Sequence, residues 1–201
     1  MASAALIAAA CASTAEPTSS PIVQPGAPGT AGRTVHAADV TADATHTAAD
    51  VHFMHMMVPH HAQALQMVAL VPSRASSEAV RQMALRMEIS QRDEIALIER
   101  WLRSRGEPLP EAHGQMMGRM PGMLTPEQMD RLRQARGAEF DRIFLESMIR
   151  HHEGAITMVE ELFATSGAGQ DSEIFQFASD VESDQRMEVD RMTALLQGIG
   201  R

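Results

Sequence analysis

The sequence predicts an all-α fold: an antiparallel four-helix bundle built from two repeated helical hairpins within residues 50–199. Three observations predict it. The stretch DVHFMHMMVPHHAQALQM at 50–67 returns 91 positions later as DRIFLESMIRHHEGAITM at 141–158, with Asp, Phe, Met, His-His, Ala and Met at equal offsets. Glu88, Gln91, Arg92, Glu94 and Ile95 find counterparts 94 positions later in Glu182, Gln185, Arg186, Glu188 and Val189. Apolar residues recur at helical steps between these marks, and no stretch alternates with the period of a strand. Each half is then one hairpin, and two hairpins close a bundle.

The elements follow in order. Residues 1–11, MASAALIAAAC, form an apolar leader too short to span a bilayer. Small residues ahead of Cys11 resemble the end of a bacterial lipoprotein signal, with Cys11 as the lipidated residue, although the usual basic segment is missing. An ordinary Ala-rich leader is the alternative. Cys11 is the only cysteine, so no disulfide can form within the chain. Residues 12–49 are rich in Ala, Thr, Pro, Gly and Ser. Such a segment buries too little surface to offset its chain entropy, and it reads as a disordered tether. His36 and His46 lie there without an assigned role.

The first helix covers 50–71 and stops before Pro72, with Pro59 marking a kink or a new start. The second covers 76–105 and ends at Gly106, completing a first hairpin at 50–105. A Met-rich connecting loop occupies 107–124. Thr125 is a good N-cap, Pro126 fits the first helical position and Gln128 the third, which gives a short helix over 126–136. Gly137 separates it from a long helix at 138–165. The last helix covers 171–197, so the second hairpin is 138–197.

Spacing decides which residues face inward. Phe53, Met57, His60, Ala64, Met67 and Val71 form one seam, and Phe144, Met148, His151, Ala155, Met158 and Leu162 form its repeat. His60 and His151 therefore point toward the core. His61 and His152 lie at the seam's edge, four residues after Met57 and Met148. On the partner helices the seam reads Ala84, Glu88, Gln91, Ile95, Ile98, Leu102, and again Ala178, Glu182, Gln185, Val189, Met192, Leu196. Glu88, Gln91, Glu182 and Gln185 thus interrupt apolar stripes. A buried carboxylate is costly unless paired, and the facing imidazoles are the expected partners of Glu88 and Glu182. A metal site and a purely structural polar network both fit this pattern.

The donor types indicate which metal. Di-iron bundles carry Glu-x-x-His on two helices. Here the position three residues before His60 or His151 is Met57 or Met148. A thioether in place of a hard carboxylate favours copper(I) or silver(I) over iron and manganese. Zinc remains possible through His and Glu alone. The loop HGQMMGRMPGM adds His113, Met116, Met117, Met120 and Met123 among glycines and Pro121. That cluster can wrap a soft cation, or it can fold as an apolar cover over the bundle end. His52, Met54, His55 and Met56 begin the first helix and can extend either site.

FMHMMVPHHAQALQM, QRDEIALIERWL, MPGMLT and FDRIFLESMIRHHEGAITM, in this order, resemble the bacterial family called domain of unknown function 305 over about 50–199. The resemblance implies a ferritin-like fold and a kinship with exported CopM-type proteins that bind copper and silver and support copper resistance. It also implies that Met57, His60, His61, Met148, His151 and His152 are the motif residues.

A formal charge of −9 argues against nucleic acid or an anionic membrane surface as the partner. No nucleophile arrangement or phosphate loop is present. The expectation is a non-enzymatic, extracytoplasmic, lipid-anchored protein that binds copper(I) and buffers it or passes it to a metallochaperone or copper-efflux partner. Met54, Met67 and Met158 extend the candidate ligand set. The alternatives are a ferritin-like metal-dependent oxidase and a non-catalytic interaction lipoprotein with a structural His/Glu network.

Overall fold

The computed structural model describes residues 22–24, 26, 31–35, 46–110 and 120–199. Six helices appear among them: α1 (Ala48–Val68), α2 (Val71–Arg74), α3 (Glu78–Ser104), α4 (Pro126–Gln134), α5 (Gly137–Ala164) and α6 (Ser172–Ile199). The fold is all-α, with the four long helices forming the bundle. α1 packs along α3, α5 packs along α6, and α1 and α5 join the two hairpins. α3 and α6 scarcely touch. No helix among the described residues is long and apolar enough to cross a membrane.

Local chemistry explains the helix ends. α1 starts at Thr47, whose hydroxyl accepts from the Asp50 amide while Asp50 answers back to the Thr47 amide at 2.7 Å. α4 starts with the same box between Thr125 and Gln128. α1 continues through Pro59, which removes one amide donor without ending the helix. The expected run to residue 71 breaks at Val68, because Pro72 fits the first turn of a new helix, α2.

Two short segments depart from the expected absence of strands. Ile22–Gln24 (β1) and Arg33–Val35 (β2) pair antiparallel, with Ile22 opposite Val35 and Gln24 opposite Arg33. The β-branched residues Val23 and Thr34 suit such a ribbon. Cys11 lies outside the described residues.

Two apolar clusters fill the bundle. One gathers Met67, Met83, Met87, Phe140, Phe144 and Met148; the other gathers Phe53, Met57, Ile98, Trp101, Met158 and Phe177. The four paired histidines belong to neither cluster and sit midway along α1 and α5. A polar layer therefore crosses the middle of an apolar core.

The repeat is visible in the tertiary ties as well. Asp50 Oδ1 accepts the Gly169 amide at 2.7 Å, in the turn that leads into α6. Its counterpart Asp141 accepts the Ser76 and Ser77 amides and the Ser76 hydroxyl, at the start of α3. Each hairpin's first helix thus holds the beginning of the other hairpin's second helix.

Candidate metal centre

His60, His61, His151 and His152 are all buried, at 0%, 0%, 1% and 0% exposure, and this decides that no ring is solvated by bulk water. The His60 and His151 rings lie 3.9 Å apart, centroid to centroid, at the contact of α1 and α5. His61 and His152 each stand 6.3 Å from their sequence neighbour's ring. Adjacent residues on a helix diverge by about 100°, so one imidazole of each pair faces the opposite hairpin and the other faces its own.

Hydrogen bonds fix the tautomers of three rings. His61 Nε2 donates to Glu94 Oε2 at 2.5 Å, and His152 Nε2 donates to Glu188 Oε2 at 2.6 Å. His60 Nε2 donates to the Pro121 carbonyl at 3.0 Å. Carbonyls and carboxylates only accept, so each of these rings carries a proton on Nε2. The Nδ1 atoms of His60, His61 and His152, and Nε2 of His151, are buried without a hydrogen-bond partner. Each such atom costs about 1–3 kcal/mol when nothing binds it. A carboxylate on one ring nitrogen with the other left bare is the arrangement that prepares an imidazole for a metal.

Burial keeps the facing pair neutral. Desolvation, and then the neighbouring His61, lower the His60 pKa to about 3, although the Pro121 carbonyl works the other way. Desolvation and then His60 push His151 well below its ordinary value. Neutral imidazole is the metal-binding form.

The thioethers lie on both sides of this layer. Met57 and Met148 are fully buried. Met57 shares a cluster with Met54 and Met158, and Met148 shares the other with Met67. Among the described residues, no group of three or more His, Cys, Asp and Glu side chains is placed to hold an ion.

The carboxylate partners differ from those expected. Glu88 is half-exposed and pairs with Arg92 at 2.8 Å. Glu182 is buried but pairs with Arg186 at 2.7 Å. Neither holds an imidazole; Glu94 and Glu188 do. The inward face of α3 runs Val80, Ala84, Met87, Gln91 and Ile98, and Glu94 falls on it, while Glu88 and Ile95 lie beside it. The signal was present in the repeat, which pairs Glu94 with Glu188, but the helical phase chosen for the stripe turned them outward. Gln91 and Gln185 are buried, and their amide oxygens lack partners.

One side of the layer is sealed by the end of the connecting loop. Gln63 clamps Leu124 through both amide atoms, at 2.9 and 2.8 Å. Gly122, at φ 76°, leaves no room for a side chain against the Arg150 carbonyl, and Gly154 leaves none against Pro121. Met120 is buried here and Met123 is half-buried. His113, Met116 and Met117 lie outside the described residues. The cluster at the start of α1 is divided: Met54 enters the core, His52 is exposed, and His55 Nε2 donates to the Pro108 carbonyl at 2.8 Å.

The opposite side is open. Between α3 and α6 lies a groove of about 740 Å³, joined through Ser90, Glu94 and Asp184 to a cavity of about 190 Å³ that Gln91, Gln185 and Glu188 also line.

The profile of the family described as domain of unknown function (DUF305) matches residues 50–196. The fold is shared with a DUF305 fragment from Deinococcus radiodurans, at 31% identity and a TM-score of 0.67, covering 76% of this chain and 97% of that one. A DUF305 protein from Streptomyces coelicolor is similar at 28% identity and a TM-score of 0.68, covering 82% and 96%. CopM in its Cu(I)-bound form is similar at 25% identity and a TM-score of 0.62, covering 74% and 96%. CopM has also been solved in Cu(II)-bound and Ag-bound forms. No curated protein matches the chain. Sequence profile and fold agree with the paired His-His repeat, and the chain belongs to the DUF305 family.

Proposed function

We propose that this protein binds copper(I) or silver(I) outside the cytoplasm and buffers the ion or passes it to a metallochaperone or efflux partner, without catalysing a reaction. The observation that carries this reading is the layer of four buried imidazoles with unpartnered ring nitrogens, bordered by fully buried Met57 and Met148. Soft neutral donors suit a soft monovalent cation, because burial then places one positive charge among dipoles and polarisable sulfur rather than among carboxylates. The copper- and silver-bound CopM structures support the same class of ligand. Extracytoplasmic placement rests on the leader-like residues 1–11, with Cys11 as the proposed lipid anchor, and on a Streptomyces relative described as a protein inferred to be secreted.

The test is an anaerobic titration of the metal-free protein with copper(I) against a competing chelator, beside a zinc(II) titration. Submicromolar copper(I) binding with a defined stoichiometry is the expected result. Replacing Met57 and Met148 together with Leu should weaken copper(I) by at least tenfold and leave zinc(II) nearly unchanged. Equal loss for both metals removes the thioethers from the ligand set. A wild-type protein that competes for neither metal, and whose melting temperature ignores both, leaves the histidines as a structural network.

A further inference from the structure

The way in to the imidazole layer is as specific as the layer itself. On the α1–α5 side the strap of residues 120–124 closes it, through His60 on Pro121, Gln63 on Leu124 and the side-chain-free contact of Gly122 with Gly154. On the α3–α6 side the helices stand apart, and the intervening groove and cavity meet at Glu94 and Asp184. Six carboxylates line the two spaces (Asp93, Glu94, Glu173, Asp180, Asp184, Glu188) against three guanidinium groups (Arg86, Arg100, Arg191). At the inner end the amide oxygens of Gln91 and Gln185, on residues 2% and 3% exposed, have no partner; two bare acceptors at that depth suit a passing cation. Behind them Glu94 and Glu188 hold His61 and His152 directly.

We infer that the α3–α6 groove is the route by which a metal cation reaches the buried histidines, with Asp184 as a capture residue at its narrowing and Gln91 and Gln185 as a relay of oxygen donors toward the Glu94–His61 and Glu188–His152 pairs. This rests on the metal-binding reading above. Asp184 touches no imidazole, so it acts on arrival and not on the final site. The field at that point is negative: burial, and then Glu94, Asp180 and Glu188, raise the Asp184 carboxyl, with Arg191 opposing them. A cleft of one sign between low-dielectric walls accelerates arrival of the opposite charge, and does so less as salt rises.

The experiment uses the full metal-free chain in stopped flow, following its withdrawal of copper(I) from a weak coloured chelator complex; the end point of the same reaction gives affinity. Asp184→Arg should slow uptake at least fivefold at low ionic strength, with a smaller effect in high salt and an affinity within twofold of wild type. Glu161→Arg makes the same charge change on the exposed end of α5 and should alter neither quantity beyond twofold. Ser90→Phe narrows the junction of groove and cavity and should slow uptake and release alike, at every salt concentration. Copper binding of wild-type strength with wild-type uptake in both Asp184→Arg and Ser90→Phe overturns the route and leaves the metal reading standing. Equal slowing by Glu161→Arg and Asp184→Arg also overturns it. A wild-type chain that withdraws no copper overturns route and metal reading together.

Discussion

His60 and His151 would both gain solvation by taking a proton, yet the fold gives them no water to face. With the folded pKa of His60 lowered to about 3 and that of His151 also far below the ordinary value, the unfolded chain binds protons that the folded chain refuses. The sign follows: their contribution is complete above the unfolded value of about 6.5 and is lost as pH falls toward the folded values. The metal-free protein should therefore lose about 1 kcal/mol or more of unfolding free energy per pH unit per imidazole below pH 6. Urea unfolding at pH 7.5, 6 and 5 checks this. A curve that is flat across that range would mean the rings are solvated. The inward placement of these two rings could be read from the recurring steps of three and four around them. The partners of their neighbours could not. One residue of helical phase separates Glu88 from a place on the inner stripe, and in a single sequence that phase is set only by apolar residues, which are plentiful enough on α3 to permit either choice.

The start of α4 was legible because its side-chain cap is read directly, whereas the Thr47–Asp50 box that starts α1 at Ala48 was not read and the helix was expected from 50. Thr125, Pro126 and Gln128 fixed the start of α4 because each residue has one physical reason to be there. Pro59 and Pro72 were harder, since the consequence of a missing amide depends on what else holds the segment. Packing along α3 and α5 carries α1 past Pro59, whereas after Val68 nothing prevents a fresh turn. The strap at 120–124 was invisible in the sequence as a contact, although its Gly122 and the repeat-breaking Gly154 were both present. A methyl group at Gly154 would meet the Pro121 carbonyl far inside contact distance. Gly154→Ala should destabilise the protein by about 1–3 kcal/mol, the usual range for overpacking. It should also raise proton exchange at the His60 ring, because Pro121 is pushed off Nε2. Chemical denaturation and the imidazole NMR signals of the variant read the two effects separately.

Across the whole molecule the two hairpins obey a common plan with unequal ends. Apolar clusters above and below insulate the histidine layer, one face is strapped shut, and the other is left as an acidic groove. The two-hairpin plan is legible in the sequence as a repeat, while the strap and the groove are not, because a gap between two helices leaves no mark on the periodicity of either. The aspartates that open each motif have a further meaning. Asp141 sits in the second hairpin but completes the hydrogen bonding at the start of α3 in the first, and Asp50 does the reverse for the turn before α6. The halves are clasped, so neither can open alone without uncapping the other. Asp141→Ala, costing about 1–2 kcal/mol as a lost cap, should speed hydrogen exchange in the first turn of α3, more than sixty residues away in sequence, as much as in α5 itself. Exchange confined to α5 would mean two independent folding units. If the expectation holds, the chain behaves as a symmetric pair of subunits joined by a loop, with the cooperativity of a dimer and none of its dependence on concentration.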